Sequence, residues 1–362
     1  MNQVISRCLR ESIVWFMGLM KAARLHKIGE ELQIDHVEVP SVGDNEVLVK
    51  VRASGICHSD LSYRNGVSPV GRLPITLGHE IAGVVAEKGG EVKRVAKGDR
   101  VCVHYVISCG QCRYCLAGRE TYCANYRMIG KDVDGGFAEF LVVPASNLLP
   151  LPEPIPFEQG AILGCAASTA YHALRRGRVS PGDNVVIYGV GGLGVHAVQL
   201  ASAIFRAGKI IAVDVLDQKL SLAKKLGSKE IINASKDDPA ETISNMTNGR
   251  GAEVVVDFVG RTKTIEKSIA CAGKGGRIVV VGISSEDLQI SPYSTIIGKE
   301  IEIVGVNDHL KSELADLIQL VKSGRVDLSG SVTHKVKLEE ANKGLQILHD
   351  NIGLPVRVVI EP

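Results

Sequence analysis

Four cysteines, Cys109, Cys112, Cys115 and Cys123, stand in the pattern C-x2-C-x2-C-x7-C. Thiolates this close along a chain can close a tetrahedron around one zinc ion with no open position, so the expected role is structural. A disulfide pair or a redox motif is the competing use of such spacing. The chain carries nine cysteines in 362 residues. A reducing compartment would keep them available as ligands, so a cytoplasmic location is expected. A second set is dispersed: Cys57 in GICHSD, His79 and Glu80 in LGHE, and Cys165 in LGCAAS. All are donors that zinc accepts, but no spacing rule assembles them, and a lone buried cysteine is usually a small hydrophobe.

A third constellation suits a nucleotide. Gly189, Gly191 and Gly194, with Gly192 and Leu193 between them, form GVGGLG directly after the apolar run VVIY and before a helical stretch. The first two glycines permit a tight turn and close approach of a pyrophosphate. The third lets the helix pack on the strand, and the helix N-terminus attracts phosphate charge. Asp214 lies twenty residues beyond Gly194, at the end of the next apolar run. A carboxylate there can accept hydrogen bonds from an adenosine ribose and repels a 2′-phosphate, which favours NAD over NADP. Lys219, close by, softens that preference. The plain alternative is a glycine-rich turn with a surface aspartate.

These residues need elements to hold them. Val47, Val49 and Val51 alternate with Leu48 and Lys50, the period-two pattern of a strand, and IAGVVAE and DRVCVH read similarly. LPLPEPIP, from Leu149 to Pro156, reads as a boundary segment. Beyond Cys165, NVVIY, KIIAVD, EVVVDF and RIVVVG alternate with helical stretches. Continuous apolar runs of this kind imply a parallel sheet covered on both faces, a doubly wound α/β fold. IEIVG then leads to a helix with Leu314, Leu317, Ile318 and Val321 at helical spacing, and a last helix and strand (Arg357 to Ile360) close the chain.

Hydrophobic residues make up 45% of the chain, charged residues 23%, and the net charge is +2. Without a basic stripe, nucleic acid is not an expected partner. The apolar run from Ser12 to Met20 is too short to span a bilayer, which takes about 20 residues. It reads as an N-terminal extension over residues 1–20 or a start assigned too early, with Met17 or Met20 as the true start. No membrane partner is expected.

Taken together, these motifs resemble the zinc-containing medium-chain alcohol dehydrogenases, especially the shorter microbial and archaeal NAD-dependent branch, from about Lys21 to Pro362. The resemblance implies a GroES-like, partly barrel-shaped, β-rich catalytic domain (21–165 and 304–362) and an inserted Rossmann domain (166–303). It implies two zinc ions per chain. The catalytic one is held by Cys57, His79 and Cys165 with Glu80 close by, and the structural one by the four-cysteine lobe. Ser59 matches a first proton-relay hydroxyl, His58 a contact to the coenzyme pyrophosphate, and Thr169 a residue lining the nicotinamide pocket. Asp60 matches a carboxylate that orients the metal-bound imidazole. Tyr105 and Met128 align with substrate-pocket positions.

The implied reaction is NAD-linked oxidation of primary or secondary alcohols to aldehydes or ketones and the reverse, with a homotetramer or homodimer as the assembly. A polyol, amino-alcohol or other specialised dehydrogenase is the alternative. Cys165 argues against the polyol branch, where a glutamate usually replaces that ligand. A non-catalytic nucleotide-binding protein is the remaining reading. Two departures stand out: Ser62 occupies the position of a relay histidine, and GVNDHLKSE follows IEIV where relatives continue with small residues.

Overall fold

A strand buried on both faces can carry few charges, and the strand Glu46–Ile56 shows where they go. Val49, Val51 and Ala53 are buried while Lys50 and Arg52 face water, as the alternation predicts. Leu48 breaks the pattern because it packs with Met20, Ala22, Ala138 and Phe140 in a local core. This strand pairs antiparallel with Glu80–Lys88, Phe140–Pro144 and Arg357–Glu361, which makes it the hub of a seven-stranded sheet. Two smaller sheets accompany it: Gln33–Glu38, Leu19–Leu25 and Ile75–Thr76, and the pair Val106–Ile107 with Arg127–Met128.

The computed structural model describes residues 18–362. Most of the expected N-terminal extension therefore lies outside the described residues. Leu19 and Met20 do not belong to it, since they pair with Glu38 and Val37. Backbone contacts divide the chain into two units. One runs to Gly164 and resumes at Val332–Gly353 and Arg357–Pro362; the other is Cys165–Ser331 with Leu354–Val356.

LPLPEPIP is internal to the first unit, because the helix Phe157–Ile162 that follows it packs on the strands Glu46–Ile56 and Glu80–Lys88. The return to the first unit comes at Val332, not at residue 304. Glu302–Gly305 pairs in parallel with Ala272–Val280, and the helix Lys311–Lys322 packs on Ser168–Arg176, so both belong to the second unit.

The second unit holds a six-stranded, all-parallel sheet. Its order is Glu230–Asn233, Lys209–Asp214, Asn184–Tyr188, Ala252–Asp257, Ala272–Val280, Glu302–Gly305. In chain order that is 3-2-1-4-5-6, the doubly wound Rossmann arrangement. Val185, Val186, Ile187, Val254, Val255 and Val256 are fully buried, as a two-sided sheet requires. The strand order reverses between Asn184–Tyr188 and Ala252–Asp257, and ligands of open α/β sheets bind at the strand ends beside such a reversal. Gly189 stands at that end with φ of +85°. No helix among the described residues is long and apolar enough to cross a membrane.

The helix Gly194–Ala203 starts so close to the turn that a Cβ on Gly194 would stand 2.0 Å from the Gly189 carbonyl oxygen. Gly194→Ala must push strand and helix apart, an overpacking cost on the order of 1–3 kcal/mol. A lower thermal midpoint with weakened NADH binding is the expected outcome, measured by calorimetry and fluorescence titration. An unchanged midpoint would show that the turn yields freely.

Candidate active site

In the four-cysteine lobe, Cys112 starts a short helix, Arg113–Leu116, and Cys123 follows the 3-10 turn Glu120–Tyr122. The four ligand atoms all lie within 4.8 Å of one another. Sulfur–sulfur distances of 3.5 Å (Cys112 to Cys115) and 3.9 Å (Cys109 to Cys115) fit a tetrahedron. Zn–S bonds of about 2.3 Å give edges of about 3.8 Å. Backbone N–H groups of Gln111 and Cys112 bring the Cys109 thiol down to about 6. Burial alone pushes Cys102 up to about 12 and is the main cause of a similar value at Cys271. These two cysteines pack; Cys109 is poised as a ligand.

Cys57, His79, Glu80 and Cys165 also bring their ligand atoms within 4.8 Å of one another, and all four are buried. Cys57 caps the helix His58–Arg64, and His79 and Glu80 stand at the start of the strand Glu80–Lys88. The Asp60 carboxylate joins these segments. It accepts from the Cys57 N–H at 2.8 Å and the Gly78 N–H at 3.3 Å, and its Oδ1 lies 3.5 Å from His79 Nδ1. Burial works to lower the His79 pKa, but Asp60 and Cys57 outweigh it and hold it well above the usual histidine value. Cys165 is the first residue beyond Gly164 and lies in the π-helical turn Leu163–Ala167. Turns of that kind recur at functional sites.

Buried polar atoms normally find partners. Both His79 ring nitrogens and both Glu80 oxygens are buried without a hydrogen bond; Asp60 and Arg357 face His79 Nδ1 and Glu80 Oε1 in ion-pair contacts, which leaves His79 Nε2 and Glu80 Oε2 for an ion. Two thiols and an imidazole form a donor set that zinc takes with one position to spare. The residues therefore fit a catalytic zinc.

Around the glycine-rich turn, Asp214 Oδ2 accepts from the Val190 N–H at 2.9 Å. Its Oδ1 accepts from Val215 and Leu216 at 2.8 and 3.1 Å. Asp214 thus anchors the turn and keeps lone-pair capacity for a ribose hydroxyl. A Cβ on Gly191 would meet nothing within 4 Å. Space beside the turn and a pinned carboxylate fit a dinucleotide. Lys219 is half-buried on the helix Asp217–Lys225.

Residues 43–153 match the family described as alcohol dehydrogenase GroES-like domain, and residues 192–323 the family described as zinc-binding dehydrogenase. The chain is 36% identical over 353 residues to the NAD-dependent alcohol dehydrogenase of Sulfurisphaera tokodaii, covering 95% of this chain and 100% of that one. It belongs to the zinc-containing alcohol dehydrogenase family. The solved alcohol dehydrogenase of Aeropyrum pernix matches it with a TM-score of 0.87 at 36% identity, over 94% of this chain and 100% of that one. Within this alcohol dehydrogenase family the chain is also 34% identical to a sorbitol dehydrogenase of Bacillus subtilis, over 90% of this chain and 93% of that one.

Ser59 Oγ lies 3.7 Å from Cys57 Sγ, and Thr169 Oγ1 lies 3.8 Å from Cys165 Sγ, so each hydroxyl stands beside a ligand thiol. His58 is exposed. Ser62 donates to the His58 carbonyl at 3.2 Å, a local back-bond in place of the relatives' histidine. Tyr105 is buried and sets its ring edge-on to His79, with centroids 5.1 Å apart. Met128 is buried too, and its sulfur accepts from the Tyr63 hydroxyl at 3.3 Å.

Sequence reasoning missed three residues of the alcohol dehydrogenase site. Tyr63 leaves no distinctive mark in the sequence, but Arg357 does: it is a charge inside the otherwise apolar PVRVVI. Its Nη2 lies 3.2 Å from Glu80 Oε1, with both side chains buried. Burial is the main cause that pushes Glu80 up to about 7, and Arg357 pulls against it. Gly55 is the third, a glycine in a strand interior, where a Cβ would stand 2.1 Å from Glu80 Oε2. Gly55→Ala should displace the Glu80 carboxylate and weaken retention of the catalytic zinc while sparing the four-cysteine lobe. Metal analysis before and after dialysis checks this, and loss of both ions together would count against it.

A second expectation follows from the thiols. In zinc-stripped protein, alkylation of Cys109 should rise as pH climbs through about 6 and level off near neutrality, because the thiolate is the reactive form. Cys102 and Cys271 should stay unmodified while the chain is folded. Peptide mapping after timed alkylation reads both. Preferential labelling of either core cysteine would contradict it.

Proposed function

We propose that the chain interconverts primary or secondary alcohols and their aldehydes or ketones, with NAD as the hydride carrier. The observation that carries this reading is the convergence of Cys57, His79, Glu80 and Cys165 in a chain that also holds the glycine-rich turn and its pinned Asp214. When bound, zinc supplies Lewis-acid polarisation of the substrate oxygen, and the nicotinamide gives or takes the hydride.

The chain's own residues do the rest. Cys57, His79 and Cys165 would hold the ion, and Glu80 stands beside them with its charge balanced by Arg357. Asp60 faces His79 Nδ1 at 3.5 Å, a contact that orients the ring and would leave Nε2 for the metal. Ser59 passes a proton but cannot store one, since its hydroxyl is uncharged at neutral pH. Ser62 is occupied by its back-bond to His58, so the proton leaves by another group or through water. Tyr105 and Met128 shape the substrate's surroundings with apolar surface, which favours a small alcohol over a polyol. Cys165, where the polyol branch usually carries a glutamate, points the same way.

Zinc-replete protein should reduce NAD with primary and secondary alcohols, faster than with polyols and faster than it reduces NADP. Nicotinamide absorbance over a panel of both cofactors and four alcohol classes measures this. Turnover confined to polyols would overturn the substrate class. Cys57→Ala should abolish turnover and leave NADH binding within about twofold, since uniform cofactor contacts are untouched. Full activity in that variant would remove the zinc role.

A further inference from the structure

The nucleotide turn is held from beneath by a histidine that the chemistry above does not use. His196 sits on the helix Gly194–Ala203, four residues beyond Gly192, and its ring is buried. Nδ1 lies 2.6 Å from the Gly192 carbonyl oxygen and Nε2 lies 3.0 Å from the Ser331 hydroxyl. A carbonyl can only accept, so Nδ1 carries the proton. The neutral ring then accepts at Nε2 from the Ser331 hydroxyl, and every polar atom of the bridge is satisfied without a buried charge.

The consequence follows from peptide geometry. A trans peptide unit is planar, with its C=O and N–H pointing in opposite directions. Holding the Gly192 carbonyl toward His196 therefore turns the Leu193 N–H to the other side of the turn. That N–H finds no acceptor in the protein among the described residues. Glycine has the softest backbone, and Gly192 follows another glycine, Gly191; the carbonyls of Gly191 and Leu193 accept from Val195 and Ala197, and the bond from His196 adds a side-chain restraint on the plane between them. An amide locked before binding does not pay ordering entropy when an anion arrives.

We infer that His196 is a positioning residue for the dinucleotide: tied to Ser331, it fixes the Gly192–Leu193 peptide so that the Leu193 N–H is preset to donate to the pyrophosphate. The inference rests on the nucleotide reading of the turn. Ser331 ends the long segment Cys165–Ser331 of the second unit, immediately before the chain returns to the first at Val332. The bridge thus joins the phosphate-binding turn to the end of the long segment of its own unit.

Two isosteric replacements separate the ring nitrogens. In His196→Asn the amide nitrogen takes the place of Nδ1 and keeps the Gly192 bond while losing Ser331. In His196→Gln the terminal amide takes the place of Nε2 and keeps Ser331, its oxygen accepting from the hydroxyl, while losing Gly192. NADH affinity, read from the fluorescence of the bound dihydronicotinamide, should stay within about twofold of wild type for the asparagine variant. It should weaken about tenfold for the glutamine variant, the size of one lost hydrogen bond. Thermal midpoints of both should stay close together, which separates positioning from general loosening. Equal affinities, or the reverse order, overturn the inference while leaving the nucleotide reading intact. Failure of wild-type protein to bind NADH overturns both. If the histidine variants do not fold, Ser331→Ala, which also keeps the Gly192 bond, tests the same assignment from the other end: NADH binding within about twofold of wild type supports it and a loss of about tenfold overturns it.

Discussion

The metal site depends on the Asp60 carboxylate, sealed from water between two stretches of chain that are far apart in sequence. Two of the protein's ligands, Cys57 and His79, stand on either side of it, and Asp60 holds a backbone N–H from each stretch. A buried carboxylate is costly unless hydrogen bonds repay its lost hydration. Here the same bonds that repay it set the separation of Cys57 from His79. The imidazole orientation follows the same contact, because one ring nitrogen faces the Asp60 carboxylate at 3.5 Å and the other is left for a ligand. Stability and chemistry therefore draw on one interaction.

A second buried charge sits beside the first. Glu80 and Arg357 come from neighbouring antiparallel strands on either side of Glu46–Ile56, at the level where Gly55 leaves room. Pairs of this kind seldom add net stability, because desolvation takes most of what attraction gives. Their value lies in placement. Removing Arg357 would take away the largest influence that opposes burial at Glu80 and leave His79 as the remaining one, so the pair helps keep an ionisable group next to the metal ligands.

Much of this was legible in the chain and some was not, for reasons that differ residue by residue. The four-cysteine lobe and the glycine-rich turn are local, so spacing alone carries their chemistry. Cys57, His79 and Cys165 are distant from one another, and only resemblance to a known family joined them before their positions were seen. The parallel sheet was readable from its apolar runs except for Glu230–Asn233, an edge strand of four residues whose polar ends hide it. The return at residue 304 was misplaced because IEIVG reads the same as a strand of either unit; its partner Ala272–Val280 decides the matter. Arg357 went unnoticed because a charge in an apolar strand has meaning only once its partner is known. The bridge of His196 was invisible, since nothing in GVHAVQ says that the ring turns back on the glycines.

Cys109 and the two core cysteines Cys102 and Cys271 differ in acidity by several orders of magnitude, while burial pushes Cys115 of the same lobe up to about 11, and this sets how the protein would age under oxidation. Thiolates climb the ladder to sulfenic and sulfinic acids, whereas protonated, buried thiols stay off it. Cys109 is ionised at neutral pH whenever its ion is missing, while Cys102 and Cys271 are sealed in their cores. Damage would therefore begin at the metal lobe and spare the interior. An oxidised molecule would lose its ion while its sheets remained folded, so the two metal populations, rather than the thermal midpoint, would record its history.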